Sequence, residues 1–356
     1  MISGLLDKLH SETNIGILII GHGSRNVHAS NEFAELVKSI ELLLPSVPVK
    51  YGYLEFSRPI ISEALDTLRD ISVTKVIAIP AMLFAAGHAK NDIPSVLNAY
   101  SARTGLEIIY GRELGIDNSL ISAAGERINE AMTSTSSFEL SETLLVVVGR
   151  GSSDPDANSN VSKITRMLVE AIGFAWGDTV YSGVTFPLVE PGLRHLLRLG
   201  FRRIIVFPYF LFSGVLVSRI RRYVTEVAND NPDIEIVNAG YLGNHPKVRE
   251  TFLTRINEAL SGDTSMNCSL CKYRSNLMGF EKEVGAPQES HHHHVEGSSM
   301  QGCELCEEEC TGECESLDGN NIANDHDHHS HGHSHYPHAN HPLGPVTLRR
   351  SNGSES

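Results

Sequence analysis

The first 260 residues of this 356-residue chain contain no cysteine. That excludes a disulfide framework for the body of the protein and leaves thiol chemistry to the remainder. Basic charge is also scarce: 29 Lys and Arg stand against 43 Asp and Glu, a net of −14. Without a basic face, nucleic acid is excluded as a partner. Long apolar runs are missing too. The longest, 204–217, is interrupted by Pro208 and Gly214 and is too short to cross a bilayer, so no membrane partner is expected. The opening residues include Asp7, Lys8, His10 and Glu12 and show no signal-peptide pattern, which predicts a soluble, cytoplasmic protein. A phosphate-cradling GxGxxG loop is incomplete, because Asn26 stands where Gly21 and Gly23 would need a third glycine.

What the body lacks, the end of the chain has in excess. All 6 cysteines and 12 of the 18 histidines lie beyond residue 260. From Ser261 onward 5 Lys and Arg face 15 Asp and Glu, so most of the negative charge sits here and the body is nearly neutral. The composition of 262–356 cannot bury enough apolar area to order a core, and predicts a largely disordered, metal-handling tail.

The body is a duplication. Gly21-His22-Gly23-Ser24-Arg25 recurs 128 residues later as Gly149-Arg150-Gly151-Ser152-Ser153, and the register then holds without a gap. Pro59 meets Pro187, Pro80 meets Pro208, Leu83-Phe84 meets Leu211-Phe212, and Leu114-Gly115 meets Leu242-Gly243. The differences are more informative. His22 faces Arg150, Glu55 faces Gly183 and His88 faces Leu216, so one copy keeps two imidazoles and a carboxylate that its sister lacks. Chemistry is expected in the first copy and shape in the second.

Each copy alternates strands and helices. Strands are predicted near 15–20, 47–55, 76–80 and 106–110, then near 144–148, 179–184, 204–207 and 234–237. Helices are predicted near 29–44, 60–69, 93–103 and 118–132, then near 161–172, 190–199, 215–227 and 246–260. This pattern implies an α/β fold: two duplicated lobes, each a parallel sheet with helices on both faces, meeting across a cleft. The divisions are expected at 1–135, 136–261 and 262–356, with the polar stretch 133–137 linking the lobes.

His22 follows the first strand, Glu55 closes the second and His88 follows the third. All three therefore fall at the carboxyl ends of parallel strands, the edge where open α/β sheets bind ligands. With strands about 4.8 Å apart, three adjacent strands would bring the side chains within roughly 10 Å. Two neutral imidazoles and a carboxylate suit a borderline divalent ion such as Co, Ni, Fe or Zn, and the same groups can carry protons. In the second copy, Arg150, Ser152 and Ser153 precede a helix and offer either an anion site or, with Asp154, a helix cap. The aromatics Phe207, Tyr209, Phe210 and Phe212 form either a cleft wall or core. Glu190 and His245 are expected to have surface or capping roles.

At GHGSR, YLEFSRP and LFAAGHAKNDIP the first copy resembles the class II chelatases, which insert a metal ion into sirohydrochlorin. GRGSSDPDANSN and SGVTFPLVEPGL in the second resemble the long, internally duplicated CbiX-type cobaltochelatases. The likeness covers about 14–260. It implies two chelatase lobes around a tetrapyrrole cleft, metal binding by His22 and His88 with Glu55 as acidic helper, and no requirement for ATP. It also implies Co2+ and sirohydrochlorin as substrates, on the oxygen-independent route to cobalamin. Iron, toward sirohaem, and nickel are the alternatives, and the His-rich tail favours cobalt. A metallochaperone or metal-storage protein is the reading from a different class.

Met266-Asn-Cys268-Ser-Leu-Cys271 resembles the MxCxxC element that accompanies an iron–sulfur centre in long chelatases. Two thiolates are too few for a four-Cys cluster; Cys303, Cys306, Cys310 and Cys314, or a second subunit in a homodimer, would complete it, and zinc is the alternative. His291, His292, His293 and His294 form one imidazole tract. His326, His328, His329, His331, His333, His335, His338 and His341 form another, beside Asp325 and Asp327. Such density binds transition ions with little selectivity, so the tail is either a reservoir feeding the cleft or a dispensable solubilising segment.

Overall fold

The computed structural model describes residues 2–12, 14–133, 135, 138–272 and 274–284. Strands β1 (Ile15–Gly21), β2 (Val49–Tyr53), β3 (Lys75–Pro80) and β4 (Glu107–Tyr110) form one parallel sheet in the order β2-β1-β3-β4. Strands β5 (Thr143–Gly149), β6 (Trp176–Tyr181), β7 (Arg203–Pro208) and β8 (Glu235–Asn238) repeat it as β6-β5-β7-β8. The central strands β1 and β5 are buried at every position. Helices cover both faces, which is why these strands are continuous apolar runs rather than alternating ones.

The helices are α1 (Ile2–Ser11), α2 (Val27–Glu41), α3 (Ile61–Asp70), α4 (Ile93–Thr104), α5 (Asn118–Thr133), α6 (Pro155–Ile172), α7 (Val189–Leu196), α8 (Val215–Asp230) and α9 (Pro246–Leu260). On the outer face of the first sheet, α3 and α4 pack Leu65, Leu68, Val96 and Leu97 against Leu18, Ile20, Val76 and Ala78. On the outer face of the second, α7 and α8 pack Leu193, Ile220 and Val224 against Leu144, Val146 and Val206. Between the sheets lies a single shared core drawn from both lobes, including Ile17, Phe33, Leu120, Ile128, Ile164, Phe207, Phe252 and Ile256. Here the lobes exchange their last helices. α5 packs against β7 of the second sheet, α9 packs against β3 of the first, and the two helices pack on each other.

Three departures from the expected elements have local causes. α1 was not anticipated; Leu5 and Leu9 enter the shared core from it, and it leans on α9. α6 starts at Pro155, earlier than the apolar pattern suggests, because Asp154 accepts from the Asp156 N–H as N-cap and Pro155 holds the first helical position. β6 begins at Trp176, where the side chains of an edge strand are exposed and give no apolar run. Among the described residues no helix is long and apolar enough to cross a membrane.

Candidate metal centre

The loops at the carboxyl edge of the first sheet are zipped together by backbone. Leu54 N–H donates to the Gly21 carbonyl at 2.9 Å and Glu55 N–H to the His22 carbonyl at 3.0 Å. The approach is so close that a Cβ on Gly23, whose φ is +98°, would lie 1.6 Å from the Glu55 carbonyl oxygen. Only glycine permits this junction. It carries Glu55, two residues beyond β2 rather than at its end, to a position beside His22 with 1% of its side chain exposed.

His88 enters from a different device. It opens a π-helical turn, His88–Asp92, that runs into α4. Tyr110 Oη–H donates to the Ala89 carbonyl at 3.0 Å and ties the turn to β4. A single π-turn inside a helical segment frequently marks a functional site.

The structure brings His22, Glu55 and His88 together, with one ligand atom from each lying within 4.8 Å of the others. His22 Nε2 is 3.1 Å from His88 Nε2 and 3.1 Å from Glu55 Oε1. The tautomers follow from the far sides of the rings. His22 Nδ1 lies 3.1 Å from the Gly23 carbonyl, and His88 Nδ1 lies 2.8 Å from Asp92 Oδ2. Both partners are acceptors, so each neutral ring carries its proton on Nδ1 and turns the Nε2 lone pair inward. Two lone pairs and a carboxylate oxygen then converge on one point. Metal–nitrogen bonds of about 2.0–2.1 Å place neighbouring ligand atoms roughly 2.9–3.4 Å apart, which the two distances from His22 Nε2 match, while His88 and Glu55 lie within 4.8 Å of each other. Among the described residues, no other group of three His, Cys, Asp or Glu side chains is arranged this way. Asp92 was not picked out from the sequence, although His88-x3-Asp92 is a spacing that puts two side chains on one helical face.

The histidines open into a cleft of about 760 Å3 lined by both lobes. Its walls are apolar: Met82, Leu83 and Phe84 from the first lobe face Phe210, Leu211, Phe212, Val215 and Leu216 from the second. Phe84 and Tyr209 stack across the divide at 5.8 Å. Phe207 is core, Tyr209 is buried yet borders the cleft, and Phe210 and Phe212 line the wall, so the aromatic run divides between the two expected roles. Arg25, Arg150 and Arg219 are the charged residues that accompany the histidines, and no Asp or Glu is among the described lining residues. In a chain of net charge −14 that makes the cleft a cationic enclave.

At the sister position Arg150 and Leu216 are wall residues. The start of α6 is occupied by its own cap, since Asp154 also accepts from Lys90 Nζ at 2.7 Å; Ser152 lines the cleft and Ser153 is exposed. Of the two expected roles for this stretch, the structure shows the helix cap. Glu190 pairs with Arg194 at 2.9 Å, and His245 caps α9 and pairs with Glu126 at 3.0 Å.

Behind the site lies a buried polar seam between the lobes. Lys90 reaches Asp154 and Asp156, at 2.7 and 3.3 Å, with all three side chains almost fully enclosed. Burial works to discharge Lys90, but the charge and hydrogen bond of Asp154, with Asp156, outweigh it and raise its pKa. Asn267 Nδ2–H donates to Asp156 Oδ1 at 2.9 Å, and the thiol of Cys271 is buried near Lys90. Cys268 opens a short 3-10 turn. Cys303, Cys306, Cys310, Cys314 and the tail histidines His291–His294, His326, His328, His329, His331, His333 and His335 lie outside the described residues.

The CbiX family model matches residues 16–131 and again 144–259, once for each lobe. The chain belongs to the CbiX family. Among its relatives in that family is the sirohydrochlorin cobaltochelatase of Priestia megaterium, 36% identical over 264 residues covering 74% of this chain and 85% of that protein. The sirohydrochlorin ferrochelatase of Bacillus subtilis is 30% identical over 68% of this chain and 90% of its own length. Among solved structures, SirB from Bacillus subtilis with Fe3+ superposes with a TM-score of 0.62 at 27% identity, covering 71% of this chain and 100% of that one.

Proposed function

We propose that this CbiX-family chain is a metal chelatase that inserts a divalent ion into sirohydrochlorin, and that the ion is Co2+. The observation that carries the reading is the convergence of His22 Nε2 and His88 Nε2, which line an apolar, arginine-bearing cleft, with the enclosed Glu55 Oε1. Apolar walls on both lobes suit a planar macrocycle. Three arginines and no lining carboxylate suit its acidic substituents.

In this reading His22 and His88 take the ion from water while leaving coordination positions open for exchange. Two pyrrole protons leave as the metal enters: Glu55, almost fully buried, compensates the ion's charge and accepts one, and an imidazole Nε2 freed as the ion departs accepts the other. The walls hold the ring against the ion, which makes the reaction effectively intramolecular. The lobes divide at 1–135 and 136–261, and residues 262–356 serve as a metal-concentrating appendage. An iron–sulfur or zinc site on Cys268, Cys271 and the later cysteines rests on the MxCxxC likeness. Cys271 is enclosed beside Lys90, the described residues gather no cysteine cluster, and no step is assigned to such a centre.

Iron is the second reading, favoured by the ferrochelatase of Bacillus subtilis and by SirB with Fe3+. Anaerobic insertion kinetics with Co2+, Fe2+ and Ni2+ side by side, followed by tetrapyrrole absorbance, decide between them. Cobalt as substrate requires the highest turnover per metal concentration with Co2+. A metallochaperone would give at most one equivalent of change and no turnover. His88→Ala is expected to abolish insertion at physiological metal levels while the melting temperature stays near that of the parent; retained turnover would remove the site assignment.

A further inference from the structure

Asp92 is the fourth polar side chain of the metal centre. It lies one step behind it, on the last residue of the π-helical turn that His88 begins. Its Oδ2 accepts from His88 Nδ1–H at 2.8 Å, and its Oδ1 accepts from Asn91 Nδ2–H at 2.9 Å. The carboxylate is 3% exposed, so both oxygens are held by protein groups rather than by water. A buried carboxylate with two defined donors is an expensive group to keep, and this one is aimed at a ring.

We propose that Asp92 is the positioning residue for His88: it holds the Nδ1–H tautomer and the ring plane, so that the Nε2 lone pair is presented to the incoming divalent cation. This rests on the metal-centre reading above and adds a residue to it. The first ring is held differently. His22 Nδ1 donates to the Gly23 carbonyl of its own loop at a longer 3.1 Å, a neutral acceptor. Behind His88 the acceptor is a carboxylate. A carboxylate behind a ligating imidazole fixes the tautomer, orients the ring and makes the opposite nitrogen a better donor. The π-turn is the device that makes this possible, since it places His88 and Asp92 together while Tyr110 clamps the intervening Ala89. Lys90, between them in sequence, points away to Asp154 and Asp156 and leaves the carboxylate to the histidine.

The test is direct Co2+ titration of the full-length metal-free protein by visible absorption, with insertion kinetics and thermal melts alongside. Asp92→Ala removes the acceptor. Asp92→Asn keeps an oxygen that accepts from Nδ1–H, provided Asn91 turns its amide over. Because the tail binds cobalt too, the titration is read as the difference from His88→Ala, in which the cleft site is lost. The expected result is a roughly 10–100-fold weaker cleft Kd for Asp92→Ala. It should come with a raised KM for metal, a melting temperature close to that of the parent, and substantial recovery in Asp92→Asn. Wild-type cleft affinity in Asp92→Ala overturns the proposal. So does a loss in both variants that only tracks a fall in melting temperature, since that marks a structural carboxylate. If His88→Ala itself leaves cobalt binding and insertion unchanged, the metal-centre reading fails first.

Discussion

Glu113 is an acid that the fold keeps from water. Burial raises its pKa, against the opposing pull of Arg112, and its Oε2 has no hydrogen-bond partner among the described residues. A carboxyl group with a raised folded pKa contributes its stability below the unfolded value of about 4.3 and forfeits it as pH rises through the folded value. Glu113→Gln removes that titration. Its melting temperature is expected to match the parent near pH 4 and to exceed it increasingly toward pH 8. Melts across that range check this; a constant offset would place the effect in packing. The same scale shows how the two copies diverged. His22, Glu55 and His88 supply converging ligand atoms, whereas at the matching positions Arg150 and Leu216 line the wall and Gly183 offers no side chain.

At the scale of elements, the loop after the first strand of each sheet makes the same tight crossing. A Cβ on Gly151, φ +87°, would lie 1.9 Å from the Gly183 carbonyl, mirroring Gly23 and Glu55. Gly23→Ala and Gly151→Ala should therefore each cost about 1–3 kcal/mol through backbone strain alone. Only the first displaces a residue of the proposed metal site, and it should lower turnover by roughly 100-fold, whereas the second, beside the wall residue Arg150, should act mainly on the KM for the tetrapyrrole. Equal losses of turnover would show that the crossing matters for shape and not for the metal. The constant offset between copies made these loops readable from the sequence, as did the strand end that carries His22; His88 was expected at a strand end too, but it sits on the π-turn beyond the loop that follows β3. Asp92 escaped notice because its meaning depends on a π-turn, which leaves no periodic signature. Glu55 was located but misplaced by two residues, since backbone bonds to the neighbouring loop set its position. The exchange of α5 and α9 was invisible because an apolar helix face does not say which sheet it will cover.

For the whole molecule, the seam formed by Lys90, Asp154 and Asp156 joins the turn that bears His88 to the first residues of the second lobe's α6. Removing one member of a buried ion pair strands the others, at a cost of about 3–5 kcal/mol. Lys90→Ala is accordingly expected to destabilise the protein by that amount in urea denaturation, and to weaken cobalt binding more than its distance from the ligands suggests. A change below about 1 kcal/mol would mean that water replaces the ammonium and that the seam is dispensable.

The exchanged helices constrain what the cleft is able to do. Since α5 and α9 each rest on the opposite sheet and on one another, prising the lobes apart would mean tearing the shared core. The two walls that would flank a flat guest are thus fastened to each other through the same pair of helices, so a substitution at the α5–α9 contact should be felt at the mouth of the slot.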